Sequence, residues 1–465
     1  MDPSASANPA ASAAPPAASG PQPLPRTGAV SGILETLAFF RDPGFAERRF
    51  ERHGDVFETV LLGQPMVFIR GGAAIGDLLA QGEAVEGWWP ESVRQLLGSR
   101  SLANRNGPAH RARRRVVGQL FSAAALRRYS PQIVALVDEL ATELRSAGEP
   151  LPLAGRMRRF AFTVIATVVL GLEGPDRDAL FADFEIWTRA LFSVPLPLPG
   201  SPFARALAAR ARLLARLQQV LEQGPQGRGG LDLLAGGLDE AGLPLTDADL
   251  VEQLLLLLFA GYETTASSLS CLMRALLLDP ALEDWLRVEL DGLPWPPPET
   301  EAPSAYDPAH APRLDALVQE VLRFTPPVGG FFRRTVRPVA LAGVAVPAGR
   351  VVQVALAASH RHADGPEAGD GGASAREHLD LETFWPQRHL EGAVGATLLP
   401  FGGGERVCLG KALAELEIRL LAVGVLRQLT LTLEPGQDLT LAVIPSPAPR
   451  DGLRVRAAAV NSSSH

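Results

Sequence analysis

Residues 401–410 read Phe-Gly-Gly-Gly-Glu-Arg-Val-Cys-Leu-Gly, a glycine-rich loop that delivers one cysteine, Cys408, just ahead of a helix predicted over 411–428. A thiol at a helix N-terminus meets free N–H groups and the positive end of the macrodipole, which favour its reactive form, the thiolate. The glycines let backbone approach a flat ligand closely. Such a loop could equally cradle phosphate, but the Gly-Lys-Ser/Thr ending that a phosphate loop requires is absent. A lone cysteine is more often an inert buried residue, so the loop needs support from elsewhere in the chain.

Two other groupings offer it. Glu263 and Thr264, within Ala260-Gly261-Tyr262-Glu263-Thr264-Thr265, set an acid beside an alcohol in an apolar stretch. Together they could relay protons, with Gly261 letting a helix open locally; the plainer alternative is a threonine bonded back to the carbonyl four residues earlier. Glu320 and Arg323 share one face of a predicted helix at i, i+3, a spacing that usually yields a solvated surface ion pair. The run 111–128 carries six arginines and no acid, most simply a solvated basic face.

Those side chains need elements to position them. Thr246-Asp247-Ala248-Asp249 offers an N-cap and early-turn acids, and nothing breaks the helical pattern until Asp279-Pro280. That predicts a helix of about 33 residues, roughly 50 Å, whose apolar centre belongs in the interior. Leu314, Leu317, Val318, Val321 and Leu322 recur at helical spacing until Thr325-Pro326-Pro327 ends them. The stretch 110–290 is mostly helical, broken by Gly and Pro at 171–175, 195–202 and 224–230. Short β-like runs occur at 57–62 and 66–69 about Gly63-Gln64-Pro65, at 336–341 and 351–355 around the turn 346–349, and at 429–433 with 439–444 as a second hairpin. The expected class is mainly α with a small β subdomain.

Composition bounds the rest. The chain has 465 residues, 46% of them hydrophobic and 20% charged, enough to bury a large core. A formal net charge of -7 argues against a nucleic-acid partner. Two cysteines exclude a disulfide framework and a four-thiolate zinc site, and fit a reducing, cytoplasmic setting. Lys411 is the single lysine among 44 basic residues, a bias that points to a bacterial, high-GC genome. No run reaches the ~18 consecutive apolar residues of a membrane span. Residues 1–25 are an Ala/Pro-rich tract without a basic start, expected to be a disordered tail rather than a signal peptide. Residues 26–458 are expected to form one domain, with 459–465 a flexible C-terminal tail and the acidic segment 364–377 a surface insertion.

The loop 401–410, read as Phe-x-x-Gly-x-Arg-x-Cys-x-Gly, resembles the haem-binding loop of the cytochrome P-450 monooxygenases, and further motifs follow in that family's order over roughly residues 22–458. The resemblance implies the cytochrome P-450 fold, with haem b between the long helix and the cysteine-loop helix, and Cys408 as the axial thiolate. Phe401, Arg406 and Gly410 would line the cofactor; His110, Arg114 and Arg333, with Arg406, would meet its propionates. Glu263 and Thr264 match the family's oxygen-activation motif. Glu320, Arg323 and Arg388, the last within Phe384-Trp385-Pro386-Gln387-Arg388, match its buried structural triad.

Segments 89–98, 195–200 and 326–333 resemble the branch containing retinoic acid hydroxylases and their soluble bacterial relatives. That branch implies a lipophilic substrate of retinoid, terpenoid or polyene type, O2 as co-substrate, and Trp89, Ala260, Phe331 and Phe332 as pocket residues. The family's reaction inserts one oxygen atom, as a hydroxylation or epoxidation. With no reductase domain in the chain, it implies a ferredoxin- or flavodoxin-type electron donor, for which Arg111, Arg113 or Arg115 would supply docking charge. The alternatives are a haem-thiolate isomerase or peroxygenase that needs no donor protein, and a haem-binding sensor without turnover.

Overall fold

The computed structural model describes residues 21–27, 32–42, 44–61, 63–191, 193–224, 229–298, 304–363, 380–392, 394 and 397–460. The acidic segment 364–377 lies outside them. The long helix spans Asp247–Leu278, and the Thr246 hydroxyl caps it by accepting from the Asp249 N–H at 3.2 Å. It packs along the helices Leu153–Val168, Pro202–Gln223 and Lys411–Gln428. By length and composition alone this helix could cross a membrane, but 67% of its most apolar window is buried inside the protein.

Gly261 has a packing reason rather than an opening one. The helix runs through it unbroken, and a Cβ there would stand 2.5 Å from Ile165 Cγ1 of the helix Leu153–Val168. The glycine is what lets the two helices approach.

The β structure comprises β1 (Val56–Leu61), β2 (Gln64–Ile69), β3 (Val85–Gly87), β4 (Leu151–Pro152), β5 (Gly330–Thr335), β6 (Val339–Leu341), β7 (Val344–Val346), β8 (Val351–Ala355), β9 (Leu429–Leu433), β10 (Leu441–Ala442), β11 (Ala448–Pro449) and β12 (Arg454–Ala459). The main sheet has the order β1-β2-β8-β5-β3. Its β1–β2 hairpin is the one expected about Gly63.

Two expected pairings differ. β6 pairs with β7 rather than β8, because Ala342 and Gly343 take positive φ of 46° and 77°, the conformation of a tight hairpin turn. The turn at 346–349 instead hands the chain to β8, which joins β2 in parallel and β5 antiparallel. At the C-terminal end β9 pairs with β12, and β10 with β11. The apolar alternation of 429–433 admits either partner, and the packing of β12 against the helix Ala123–Ser146 selects one.

The domain also reaches beyond its expected limits. Gln22 bridges to Val344, Arg26 bridges to Glu58, and Leu24 packs beside β6 and β7, so residues 22–25 belong to the body and not to a tail. Ala459 closes β12, and the Val460 N–H donates to the Gln428 carbonyl at 3.1 Å.

Candidate functional site

The cysteine loop is held by its own backbone. The Gly402 N–H donates to Leu399 O at 2.9 Å, Val407 N–H to Gly404 O at 3.1 Å, and Cys408 N–H to Phe401 O at 3.0 Å. Gly402 and Gly404 sit at φ of 69° and 66°, the left-handed region, while a Cβ on Gly403 would come within 2.7 Å of Leu79 Cδ1. Lys411 lies 5.6 Å over the Phe401 ring, and Arg114 donates to Val407 O at 2.6 Å. A Cβ on Gly410 would sit 4.0 Å from the Cys408 sulfur.

Of the two free cysteines, Cys271 is buried and Cys408 exposed. Protein atoms crowded around the Cys408 sulfur nevertheless push its thiol up, against the N–H groups of Gly410 and Lys411 and the Arg114 cation, which pull it down. Helix-end stabilisation is therefore opposed at this thiol by its surroundings; coordination to a metal cation would favour the thiolate.

Around the loop stand His110, Arg114, Arg333 and Arg406. Burial and then Arg406, Arg114, Arg333 and Arg111 drive His110 down to about 4, and its Nδ1 has no hydrogen-bond partner among the described residues. Burial and Arg406 bring Arg333 down to about 10. Burial also lowers Arg406 and Arg114, with Glu405 opposing in both cases. Among the described residues Arg333 bonds the neighbouring Phe332 carbonyl at 2.8 Å, and its guanidinium lies 4.5 Å over the Phe331 ring. Arginines held at a cost beside a neutral imidazole suit a dianion, the charge that two carboxylates of one ligand would bring.

On the long helix, Thr264 Oγ1 donates to Ala260 O at 2.7 Å, the back-bonded arrangement, and Ala260 itself is exposed. Glu263 is 14% exposed and lies 3.6 Å from Arg158. Burial pushes its carboxyl up, with Arg158 opposing. Both groups thus hold protons readily, one partly buried acid and one hydroxyl.

The triad residues come together as a closed cluster. Glu320 receives Arg323 through two bonds of 2.8 Å, Arg388 Nε at 3.1 Å, the Trp385 N–H at 2.7 Å and His389 Nε2 at 2.9 Å. Burial works against ionisation of Glu320, but the bonds from Arg323, His389 and Trp385 outweigh it and hold the carboxyl down at about 2. His389 was not among the sequence candidates; its position directly after Arg388 was the available signal. His360, buried between this cluster and the cysteine loop, was missed as well, since nothing local marks it.

Two candidates are corrected. Phe331 and Phe332 fall on opposite faces of β5: Phe331 shares the face of Arg333 and approaches Gly402, whereas Phe332 packs on Trp88 at 5.4 Å in the cluster behind the sheet. Arg113 is not free to dock a partner, because it is buried in ion pairs with Glu240 at 2.6 Å and Asp249 at 3.1 Å. Arg115 is exposed, and Arg111 is exposed with Glu405 3.8 Å away. Trp89 is half-buried against the main helical core.

A thiol-bearing glycine loop with Arg114 beside its sulfur, and Arg333 and Arg406 beside His110, suits a haem-thiolate protein, and comparison with known proteins agrees. The family model for cytochrome P450 matches residues 20–446. Cytochrome P450 120 of Synechocystis is 36% identical over 91% of this chain and 94% of its own length. Cytochrome P450 26B1 of Danio rerio is 32% identical over 90% of this chain and 83% of its own. A solved retinoic acid-bound cyanobacterial CYP120A1 superposes with a TM-score of 0.83 at 34% identity, covering 95% of this chain and all of that one. The chain belongs to the cytochrome P450 family: it is a monooxygenase that uses haem with its iron held by a cysteine thiolate.

Proposed function

We propose that this monooxygenase oxidises a retinoid-like lipophile, with Cys408 as the axial ligand and His110, Arg114, Arg333 and Arg406 holding the propionates. The observation that carries the assignment is the exposed Cys408 thiol set beside Arg114, Arg333 and Arg406, three arginines that with burial hold His110 down at about 4. Haem bound there supplies oxygen activation, placing one atom of O2 in a C–H or C=C bond and releasing the other as water. Glu263 and Thr264 hold and pass the protons this requires: the hydroxyl sits on the exposed Ala260 turn, and the acid reaches toward the half-exposed Arg158 and so toward solvent. Ala260, Phe331 and Trp89 give the substrate an apolar lining. Similarity to a structure with retinoic acid bound supports the retinoid class.

The two electrons come from a separate ferredoxin or flavodoxin in the cytoplasm, docking at Arg111 and Arg115. Reduction rate should fall severalfold as ionic strength rises, and Arg115→Glu should lower it at low salt; a flat profile overturns this docking face. The acid–alcohol pair favours the O2-dependent reading over a peroxygenase or isomerase. Turnover with peroxide alone, and none with a donor, would reverse that preference.

The decisive test is the spectrum of the dithionite-reduced, CO-bound protein beside Cys408→Ala. A thiolate-type Soret band in the wild type that the variant loses is expected. Its absence from folded, haem-loaded wild type would remove Cys408 as ligand.

A further inference from the structure

His360 follows the short helix Leu356–Ser359 and is completely buried, at 0% exposure. Its ring spans two elements that the chain brings together only by folding. Nε2 lies 3.1 Å from the Leu399 amide nitrogen, at the start of the segment that runs into the cysteine loop. Nδ1 lies 3.2 Å from the Arg323 carbonyl, at the end of the helix Pro312–Phe324, where no further turn supplies a donor. The His360 carbonyl in turn accepts from Arg323 Nη1 at 3.2 Å.

These partners dictate the tautomer. A backbone N–H only donates and a carbonyl only accepts, so Nε2 must carry the lone pair and Nδ1 the proton. Burial, together with the Arg323 and Arg361 charges, holds the ring down at about 4, which keeps it in this neutral form. From Leu399 the connection continues within the loop: its carbonyl accepts from Gly402, and Phe401 accepts from Cys408.

We propose that His360 is a positioning residue, a clasp that ties the cysteine loop to the triad helix and sets the backbone from which Cys408 reaches iron. This rests on Cys408 being the axial ligand. The triad's role then extends beyond holding its own segment: through Arg323 and His360 it fixes the height of the loop.

The test uses the full chain with haem and the variants His360→Phe, His360→Asn and His360→Gln. Phenylalanine fills the space without hydrogen bonds. Asparagine can serve the Arg323 carbonyl but falls short of Leu399, whereas glutamine carries an acceptor oxygen to the Nε2 position. Two readouts are taken: amide hydrogen exchange at Leu399, and the fraction of the reduced CO complex showing the thiolate band.

Exchange should rise about tenfold in the Phe and Asn variants, the equivalent of one hydrogen bond, and their thiolate fraction should drop to half or less. Gln should restore both. Wild-type exchange and thiolate fraction in the Phe or Asn variant would overturn the clasp, as would a Gln variant as impaired as Phe. A folded, haem-loaded wild type with no thiolate band would overturn the ligand assignment itself, which the exchange data would expose as a separate failure.

Discussion

Two groups of charge in this protein, one buried around Glu320 and one half-buried around His110, are built on opposite terms. Around Glu320, each cation has an acceptor: Arg323 and Arg388 divide the carboxylate between them and spend their remaining N–H groups on the carbonyls of His360, Asp380, Leu381 and Thr383. Around His110, burial depresses Arg114, Arg333 and Arg406, with repulsion from Arg406 added at Arg333 and from Arg114 at Arg406. The first cluster is complete within the chain and serves the fold. The second finds only neutral acceptors among these bonds, Val407 O for Arg114 and Arg105 O with Asn106 Oδ1 for Arg406, and in the proposed assignment the haem propionates balance its charge.

Removing the anion from the complete cluster should do the most damage. Glu320→Gln leaves Arg323 and Arg388 buried without their counter-charge, at a cost of about 3–5 kcal/mol, and should show as haem-free or aggregated protein on expression. A stably folded variant with wild-type haem content would show that the cluster is dispensable.

Acid should separate the clusters next. His360, and in haem-free protein His110, titrate at about 4 when folded against an ordinary 6.5. Between those values the unfolded chain binds protons that the folded chain refuses. Stability is thus full above pH 6.5 and falls as pH drops through the window, by up to ~1.4 kcal/mol per pH unit for each histidine. Urea unfolding at several pH values should give a steeper decline without haem than with it, because propionates beside His110 restore its affinity for the proton. Equal slopes would count against His110 as a propionate contact.

The smallest effect should follow Arg333→Gln. Haem-free stability should stay level, since the lost cation was disfavoured where it stood, while haem dissociates about tenfold faster, the ~1.5 kcal/mol of one charge-assisted bond. Lower stability with unchanged haem retention would place Arg333 in the structural group instead.

The long helix was legible because Thr246, the unbroken apolar run and Asp279-Pro280 act locally, through capping and periodicity. The 401–410 loop was legible because its glycines and cysteine are contiguous. Residue spacing could not tell Arg113 from Arg115, which differ by two positions on one helix: the Glu240 and Asp249 carboxylates brought in by other segments pair with Arg113, which is buried, while Arg115 is exposed. The same limit applied to Phe332, whose face depends on the pairing of β5 with β8, and to the partner of β9, for which two apolar strands competed.

The chain's own order of residues thus determined part of the chemistry at hand, one thiol on a glycine loop and an acid beside an alcohol, while the cations for a dianion came only through the family resemblance. Tertiary structure decided which charges neutralise each other and which wait for a ligand. His360 belongs to that second category, because its ring joins Arg323 to Leu399, residues 76 positions apart in the chain (399 less 323). Local pattern does not register a hydrogen bond whose two ends meet only when helix and loop have packed.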